Sequence, residues 1–240
     1  DPRRNSIMIS NPLGEDTSVM RTTAIPSMLE VLARNNNYHA DKTALYEMAR
    51  VYIPNADRTL LPDERRRIVI GFFRDGDFYT LKGMCDALLK AAGIDDAAYV
   101  AESNDAAFHP GRCAKIVFSD GEVLGVFGEI HPAVQENYAI DAPVYIADLD
   151  FATLFAHSKR DKAFRPLPKF PAVTRDFAFV CDDELEVGKI EAIMKLAGGK
   201  TVESVKLFDV YRGKQLGEGK KSVAYSVSLR AADHTLTDEE

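Results

Sequence analysis

A stretch rich in proline and basic residues divides the chain in two, and it constrains the fold more than any other feature. Between positions 158 and 175, six lysines and arginines stand beside the single acid Asp161, and three prolines interrupt the stretch. Proline ends helices and strands, and like charges repel each other, so this composition favours an extended connection over a packed element. We therefore predict two domains, 1–155 and 173–240, with a linker at 156–172.

Helical and strand patterns alternate irregularly in the first domain. Apolar residues recur at helical spacing after Pro26 and again over 81–92, where Thr80 is a candidate N-cap. Asp120-Gly121, between two apolar runs, is typical of a tight hairpin. Strands are predicted at 7–9, 45–53, 68–73, 114–118, 123–130 and 144–149. Hairpins interleaved with helices indicate an antiparallel sheet with helices packed on it, which is an α+β domain.

The second domain has a simpler order of elements. Its patterns predict a strand at 176–181, a helix at 187–196, and strands at 202–211 and 222–230. The residues at 237–240, Thr-Asp-Glu-Glu, then match a capping box, the start signal of a further helix. The β-α-β-β order is that of a ferredoxin-like domain without its final strand and most of its last helix. We expect a truncated domain in a piece of a longer polypeptide.

The strand at 222–230 alternates between two kinds of side chain. One face carries the apolar residues Val223, Tyr225, Val227 and Leu229. The other carries the small or polar residues Ser222, Ala224, Ser226, Ser228 and Arg230, with Lys220 and Lys221 at its entrance. Such a face, with Tyr211 as a stacking platform, fits single-stranded RNA, but packing against another domain or subunit accounts for it at least as well.

Net charge bears on this choice only when it is counted by region. The whole chain carries a formal charge of -7, which by itself argues against nucleic-acid binding. Residues 1–157 hold 15 bases and 23 acids, whereas residues 158–240 hold 15 bases and 14 acids. The acidity therefore belongs to the first domain, and RNA binding by the second stays open.

No catalytic, metal or cofactor site is predicted. The three cysteines form no CxxC pair, the five histidines show no HxH or HxxxH spacing, and no G-x-S-x-G elbow is present. The glycine-rich stretch 217–222 departs from a phosphate-binding loop at Lys214 and Lys221, and it lies between two predicted strands. Because no apolar run is long enough to span a membrane and no leader pattern opens the sequence, we expect a cytoplasmic protein.

An ordered set of motifs resembles the bacterial phenylalanyl-tRNA synthetase beta subunit family along nearly the whole chain. In the first domain these motifs are Asn11-Pro12-Leu13-Gly14, Leu81-Lys82-Gly83, His109-Pro110-Gly111-Arg112 and the stretch from Gly125 to Pro132. In the second they are the stretch from Phe170 to Asp176, Leu207-Phe208-Asp209-Val210-Tyr211, Gly219-Lys220-Lys221-Ser222 and the stretch from Thr235 to Glu240. One departure is Ala49, where the family usually has glycine.

The resemblance implies a division of labour between the domains. Residues 1–155 would be a class II synthetase-like domain that has lost catalysis and packs on a catalytic alpha subunit in an α2β2 assembly. The second domain would be a ferredoxin-fold domain that binds the anticodon region of tRNA(Phe). The assembled enzyme would use ATP and Mg2+, whereas the fragment itself would bind no cofactor.

Six residues are predicted to contact RNA. Ala178, Tyr211 and Ser222 match the family's anticodon contacts, and the charges at the two ends of the polar face add Lys220, Lys221 and Arg230. Two other functions stay open at this point. One is a free-standing class II synthetase-like enzyme, and the other is a ferredoxin-like module that binds a small regulatory ligand.

Overall fold

The computed structural model of the chain describes residues 2–57, 59–159, 164 and 166–237. The chain forms two compact units, Asp1–Lys162 and Ala163–Glu240. Three of the basic residues that predicted the linker, Arg160, Lys162 and Arg165, lie outside the described residues, as does most of the capping box at 237–240.

The first unit is built on one antiparallel sheet, which confirms the predicted α+β class. A small hairpin, β1 (Ile7–Met8) and β2 (Val19–Met20), precedes it. Six strands follow: β3 (Thr43–Ile53), β4 (Asp63–Phe73), β5 (Ala98–Ala101), β6 (Phe108–Val117), β7 (Val123–Ile130) and β8 (Val144–Asp150). They pair in the order β3-β4-β8-β7-β6-β5, and every neighbouring pair is antiparallel.

Helices cover both faces of this sheet. On one face α1 (Ile25–Asn37) packs Leu29 and Leu32 against the sheet, and on the other α2 (Phe78–Ala91) packs Leu81. The short α3 (Pro132–Glu136) joins the first face, and α4 (Phe151–His157) joins the second. Because side chains alternate along a strand, neighbouring residues of β4 such as Phe72 and Phe73 enter different cores, and both are fully buried.

The predicted start of α2 is wrong by three residues. Asp77, not Thr80, is the N-cap: its Oδ1 accepts a hydrogen bond from the Thr80 amide at 2.9 Å. The Thr80 hydroxyl accepts in turn from the Asp77 amide at 3.2 Å, which completes a capping box. Thr80 thus belongs to the motif, but inside the helix.

The predicted linker begins inside a folded element. Residues 156 and 157 belong to the last turn of α4. The sequence patterns did not predict this helix. The Lys159 amide donates to the carbonyl of Ala92 at 2.9 Å, and its ammonium pairs with Asp95 at 2.8 Å. The chain therefore stays with the first unit as far as Lys159.

In its described residues, the second unit forms a three-stranded antiparallel sheet with one α-helix on it. Its elements follow the order β9 (Val173–Asp182), α5 (Val187–Gly198), β10 (Val202–Tyr211) and β11 (Lys220–Leu229). The strands pair in the order β10-β11-β9. Tyr225 lies in the core under α5 and its hydroxyl donates to the carbonyl of Val187 at 2.7 Å, so β11 is tied to the start of α5.

The longest helix among the described residues is α2, with 14 residues. In that part of the chain no helix combines the length and the apolar character needed to cross a bilayer.

Candidate nucleic-acid interface

The sheet of the second unit has two unlike faces. The inner face packs under α5 and contains Val223, Tyr225 and Val227, all buried. We call the opposite side the outer face; on β11 it consists of the half-buried residues Ser222, Ala224, Ser226 and Ser228. The alternation in the sequence therefore divides the strand as predicted.

Strand pairing brings three of the predicted contacts together on the outer face. Ser222 of β11 lies between Val180 of β9 and Tyr211 of β10, and these three residues form one row across the sheet. The next row places Ala224 between Ala178 and Asp209. Successive rows on one face are about 7 Å apart, so Ala178, Ser222 and Tyr211 occupy one patch of the size of a nucleotide.

The patch combines small side chains with one accessible ring. Tyr211 is 46% exposed and Ala178 is exposed, while Ser222 is half-buried between its two neighbours. Small residues let a base approach the sheet, an accessible ring offers a stacking surface, and a hydroxyl both donates and accepts hydrogen bonds. This patch can therefore hold an unpaired base.

Val180 and Asp209 are two further residues of the patch, and Asp209 was missed from the sequence. Val180 is 62% exposed, and Asp209 is also exposed. The register of β10 shifts between Leu207 and Asp209, because Phe208 is an extra residue in that strand. Simple alternation along β10 consequently fails to show which of its side chains lie on the outer face.

Lys220 lies at the edge of the patch with its charge accessible. Its ammonium is 2.5 Å from Oδ1 of Asp182, the residue directly across β9. The hydrogen bond and the opposite charge raise the pKa of Lys220 and lower the pKa of Asp182. Both side chains are exposed, so the pair can open when a phosphate competes for the lysine.

The structure does not bring Lys221 to this patch. Lys221 is only 5% exposed and lies on the side of β11 that also carries Val223. Its Nζ donates to the backbone carbonyl of Asp183 at 2.7 Å. The physical reason is the two-residue period of a strand, which places neighbours on opposite faces. The predicted RNA contact through Lys221 has no support in this geometry.

Arg230 is also separated from the patch. It is eight positions from Ser222, which corresponds to about 26 Å along a strand. Its Nη2 donates to Oε2 of Glu203 at 3.0 Å, and its Nη1 donates to the carbonyl of Phe170. The hydrogen bond from Arg230 lowers the pKa of Glu203. Arg230 therefore anchors the far end of the sheet.

Two arginines of the first unit, Arg21 and Arg65, are held in contacts with neighbouring residues. The guanidinium of Arg21 donates to Glu47 at 2.7 Å, to Ser27 at 3.2 Å and to the carbonyl of Arg50 at 2.8 Å. An open cleft of about 600 Å3 lies between β4 and α4. In its lining Arg65 pairs with Asp63 at 2.7 Å, so these charges neutralise each other.

One cluster of potential metal ligands lies at the β6-β7 hairpin. Ligand atoms of Asp120, Glu122 and His157 all lie within 4.8 Å of one another, a proximity that sequence spacing did not reveal. His157 Nε2 is 3.0 Å from Glu122, and the imidazole stacks on Phe118 with 3.7 Å between ring centroids. Both carboxylates are exposed, so the cluster matches a hydrogen-bonded group at the surface.

Comparison with known proteins supports the assignment of both units. The family model "Phenylalanyl tRNA synthetase beta chain CLM domain" matches residues 1–151, and the model "Ferredoxin-fold anticodon binding domain" matches residues 168–240. The chain is 48% identical to a phenylalanine–tRNA ligase beta subunit of Clostridium tetani and 43% identical to one of Clostridium acetobutylicum. In each case the match covers 99% of this chain and 30% of the relative, so the chain spans about 30% of their length.

Similarity to a solved structure bears on the fold alone. A pyrrolysyl-tRNA synthetase from Desulfitobacterium hafniense matches with a TM-score of 0.51 and 15% identity, over 64% of this chain and 53% of that protein. The first family model covers more than half of the sequence, and the second covers the unit that carries the patch. The chain therefore belongs to the phenylalanine–tRNA ligase beta subunit family.

Proposed function

We propose that this chain is the part of a phenylalanine–tRNA ligase beta subunit that binds the anticodon region of tRNA(Phe) and scaffolds the catalytic alpha subunit in an α2β2 enzyme of the cytoplasm. The observation that carries the RNA-binding role is the patch of Ala178, Ser222 and Tyr211 on the outer face. The matching ferredoxin-fold anticodon-binding model supports the same role.

Each member of the patch has a distinct task in this proposal. A loop base stacks on Tyr211, an interaction of about 1–3 kcal/mol per base. The hydroxyl of Ser222 bonds a base edge, and the methyl group of Ala178 leaves room for the base to reach the sheet. The carboxylate of Asp209, in the neighbouring row, accepts hydrogen bonds from base N–H groups.

Electrostatic attraction plays a small part in this binding. On and beside the outer face, two exposed cations, Lys206 and Lys220, share the sheet with three acids, Asp176, Asp182 and Asp209. For a single strand, each phosphate contact contributes about -0.7 to the slope of log K against log salt. One or two contacts would give this fragment a slope of about -1, so stacking and shape dominate its affinity.

The first unit serves as a noncatalytic scaffold in this proposal. An arginine can bind a triphosphate, but the guanidinium of Arg21 already contacts three partners. Both faces of the sheet are filled by the two apolar cores. ATP and Mg2+ would thus serve the alpha subunit, and the isolated chain should not exchange pyrophosphate with ATP in the presence of phenylalanine. Exchange above background would favour a free-standing enzyme instead.

A titration with the anticodon stem–loop of tRNA(Phe) tests the RNA-binding role. We expect the 240-residue chain to bind the labelled stem–loop in fluorescence anisotropy, and the double variant Tyr211→Ala, Ser222→Ala to bind at least tenfold more weakly. Tyr46→Ala is the matched control, because Tyr46 is an exposed tyrosine of the first unit.

Full-strength binding by the double variant would refute the assigned patch. Calorimetry with phenylalanine separates the regulatory alternative. The small-ligand module would be favoured by two results together. The parent chain would fail to bind RNA, and its saturable heat of phenylalanine binding would be lost in the double variant.

A further inference from the structure

The ring of Tyr211 lies on Gly213, two residues further along the chain. A Cβ atom built on Gly213 would be 2.5 Å from Cζ and 2.8 Å from Cε1 of Tyr211. Unbonded carbon atoms prefer separations of about 3.5–4.0 Å, so the ring occupies the space that any side chain at 213 would need. The phenol end of Tyr211 rests on the bare backbone of Gly213.

We infer that Gly213 is a positioning residue for RNA binding: by lacking a side chain, it sets the position of the Tyr211 ring on the outer face. This inference rests on the proposed function, because it concerns the ring on which a base would stack. An alanine at 213 would push the phenol end away by about 1 Å or more, toward the normal contact distance. A base stacked on the ring would lose its alignment with Ser222, the cross-strand neighbour of Tyr211.

The backbone at Gly213 does not itself require glycine. Its φ of -155° and ψ of 156° are extended values that every L-residue adopts. The atoms in the way belong to the end of a half-exposed side chain, which can rotate, and not to the backbone. The substitution Gly213→Ala should therefore move the ring and leave the fold intact.

The segment around Gly213 is held independently of the ring. Arg212 pairs with Asp183 at 2.7 Å, which links the residue after β10 to the residue after β9. The Gly213 carbonyl accepts a hydrogen bond from the amide of Leu216 at 3.0 Å, which starts the turn toward β11. With both contacts retained, a displaced ring cannot be compensated by a shift of the backbone.

A double-mutant cycle on the 240-residue chain tests the inference. The variants are Tyr211→Ala, Gly213→Ala and their combination, and Gly188→Ala is the control, since a Cβ at Gly188 meets nothing within 4 Å. The probe is the anticodon stem–loop of tRNA(Phe), with 2-aminopurine placed at each loop position in turn. Anisotropy gives the affinity, and quenching of 2-aminopurine reports stacking on the ring.

We expect Tyr211→Ala to weaken binding about 5- to 100-fold. Gly213→Ala should lower the logarithm of the affinity by at least a third as much as Tyr211→Ala does. It should also reduce the quenching of 2-aminopurine at the loop position that stacks on Tyr211. In the absence of the ring, Gly213→Ala should change the affinity less than twofold. All variants should unfold within about 2 °C of the parent chain, because the substitution moves a side chain and not the backbone.

Other outcomes separate the two ideas. If Tyr211→Ala weakens binding but Gly213→Ala does not, or if their effects add, the positioning role is wrong and the RNA patch stands. A Gly213→Ala chain that unfolds at a clearly lower temperature also overturns the positioning role. If Tyr211→Ala binds as tightly as the parent chain, the proposed stacking surface itself fails, and the inference fails with it.

Discussion

Lys220 and Lys221 are neighbours with opposite expected roles, and substituting each by methionine gives a sharp test of the strand register. Lys221→Met keeps an unbranched apolar stem inside the core but removes the ammonium that donates to the Asp183 carbonyl at 2.7 Å. A hydrogen bond to a charged group is worth about 1.5–3 kcal/mol. Relief of the buried charge offsets part of this loss, and water can reach the exposed Asp183. We expect a net loss of about 1–2 kcal/mol in the free energy of unfolding.

For a unit of the size of the second one, that loss corresponds to a drop of about 5–15 °C in the midpoint of thermal unfolding. Hydrogen exchange of peptides from β9 and β11, followed by mass spectrometry, reports on the second unit alone. Lys220→Met should leave this protection nearly unchanged, because the Lys220–Asp182 pair is exposed. The RNA titration should show the reverse order: Lys220→Met should weaken binding and flatten the salt dependence by about 0.7, and Lys221→Met should do neither.

If Lys221→Met leaves the hydrogen-exchange protection of β9 and β11 unchanged but weakens RNA binding, the side chain of Lys221 lies on the outer face. The register of β11 and the inward orientation of Lys221 would then be wrong.

Three further predictions concern single contacts. Asp77→Ala should lower the free energy of unfolding of the first unit by about 1 kcal/mol. The Thr80 amide holds the pKa of Asp77 below 3.8, so this contribution should be complete above about pH 4 and disappear as the pH falls through the folded-state pKa, which thermal unfolding against pH would show. Gly128→Ala should destabilise the first unit by about 1–3 kcal/mol, because its Cβ would lie 2.8 Å from the Cα of Cys113, whereas Gly83→Ala, with open space around it, should not; urea unfolding compares them. Arg230→Ala should change RNA affinity less than twofold, since its guanidinium is bound to Glu203; the anisotropy titration checks this.

The sequence predicts β11 well because one period dominates it. Apolar residues alternate with small ones from 222 onward, and a strand with one buried face permits only one orientation for such a pattern. The same period places Lys221 inward, but its charge suggested an exposed role. Burial of that ammonium depends on the carbonyl of Asp183, which comes from a turn 38 positions away, and no local pattern encodes such a contact.

Other features escaped prediction for identifiable reasons. The start of α2 was misplaced because Asp77 and Thr80 are both good capping residues and only their reciprocal hydrogen bonds identify the N-cap. The contact of Tyr211 with Gly213 requires side-chain positions, and the shift in β10 hid Asp209 from the outer face. The alternation of β11 and the ordered motifs were sufficient to identify the candidate face, but the structure was needed to separate its members from their neighbours.

Hydroxyl-radical footprinting tests most directly whether the outer face meets the anticodon region. Tyr211 on the outer face is 46% exposed, while Phe177 and Phe179, paired with inner-face residues of β11, are 43% and 38% exposed. All three rings should therefore be oxidised in the free chain. With saturating tRNA(Phe), the account predicts strong protection of Tyr211 and unchanged oxidation of Phe177 and Phe179. Protection of the two phenylalanines with unchanged oxidation of Tyr211 would contradict it.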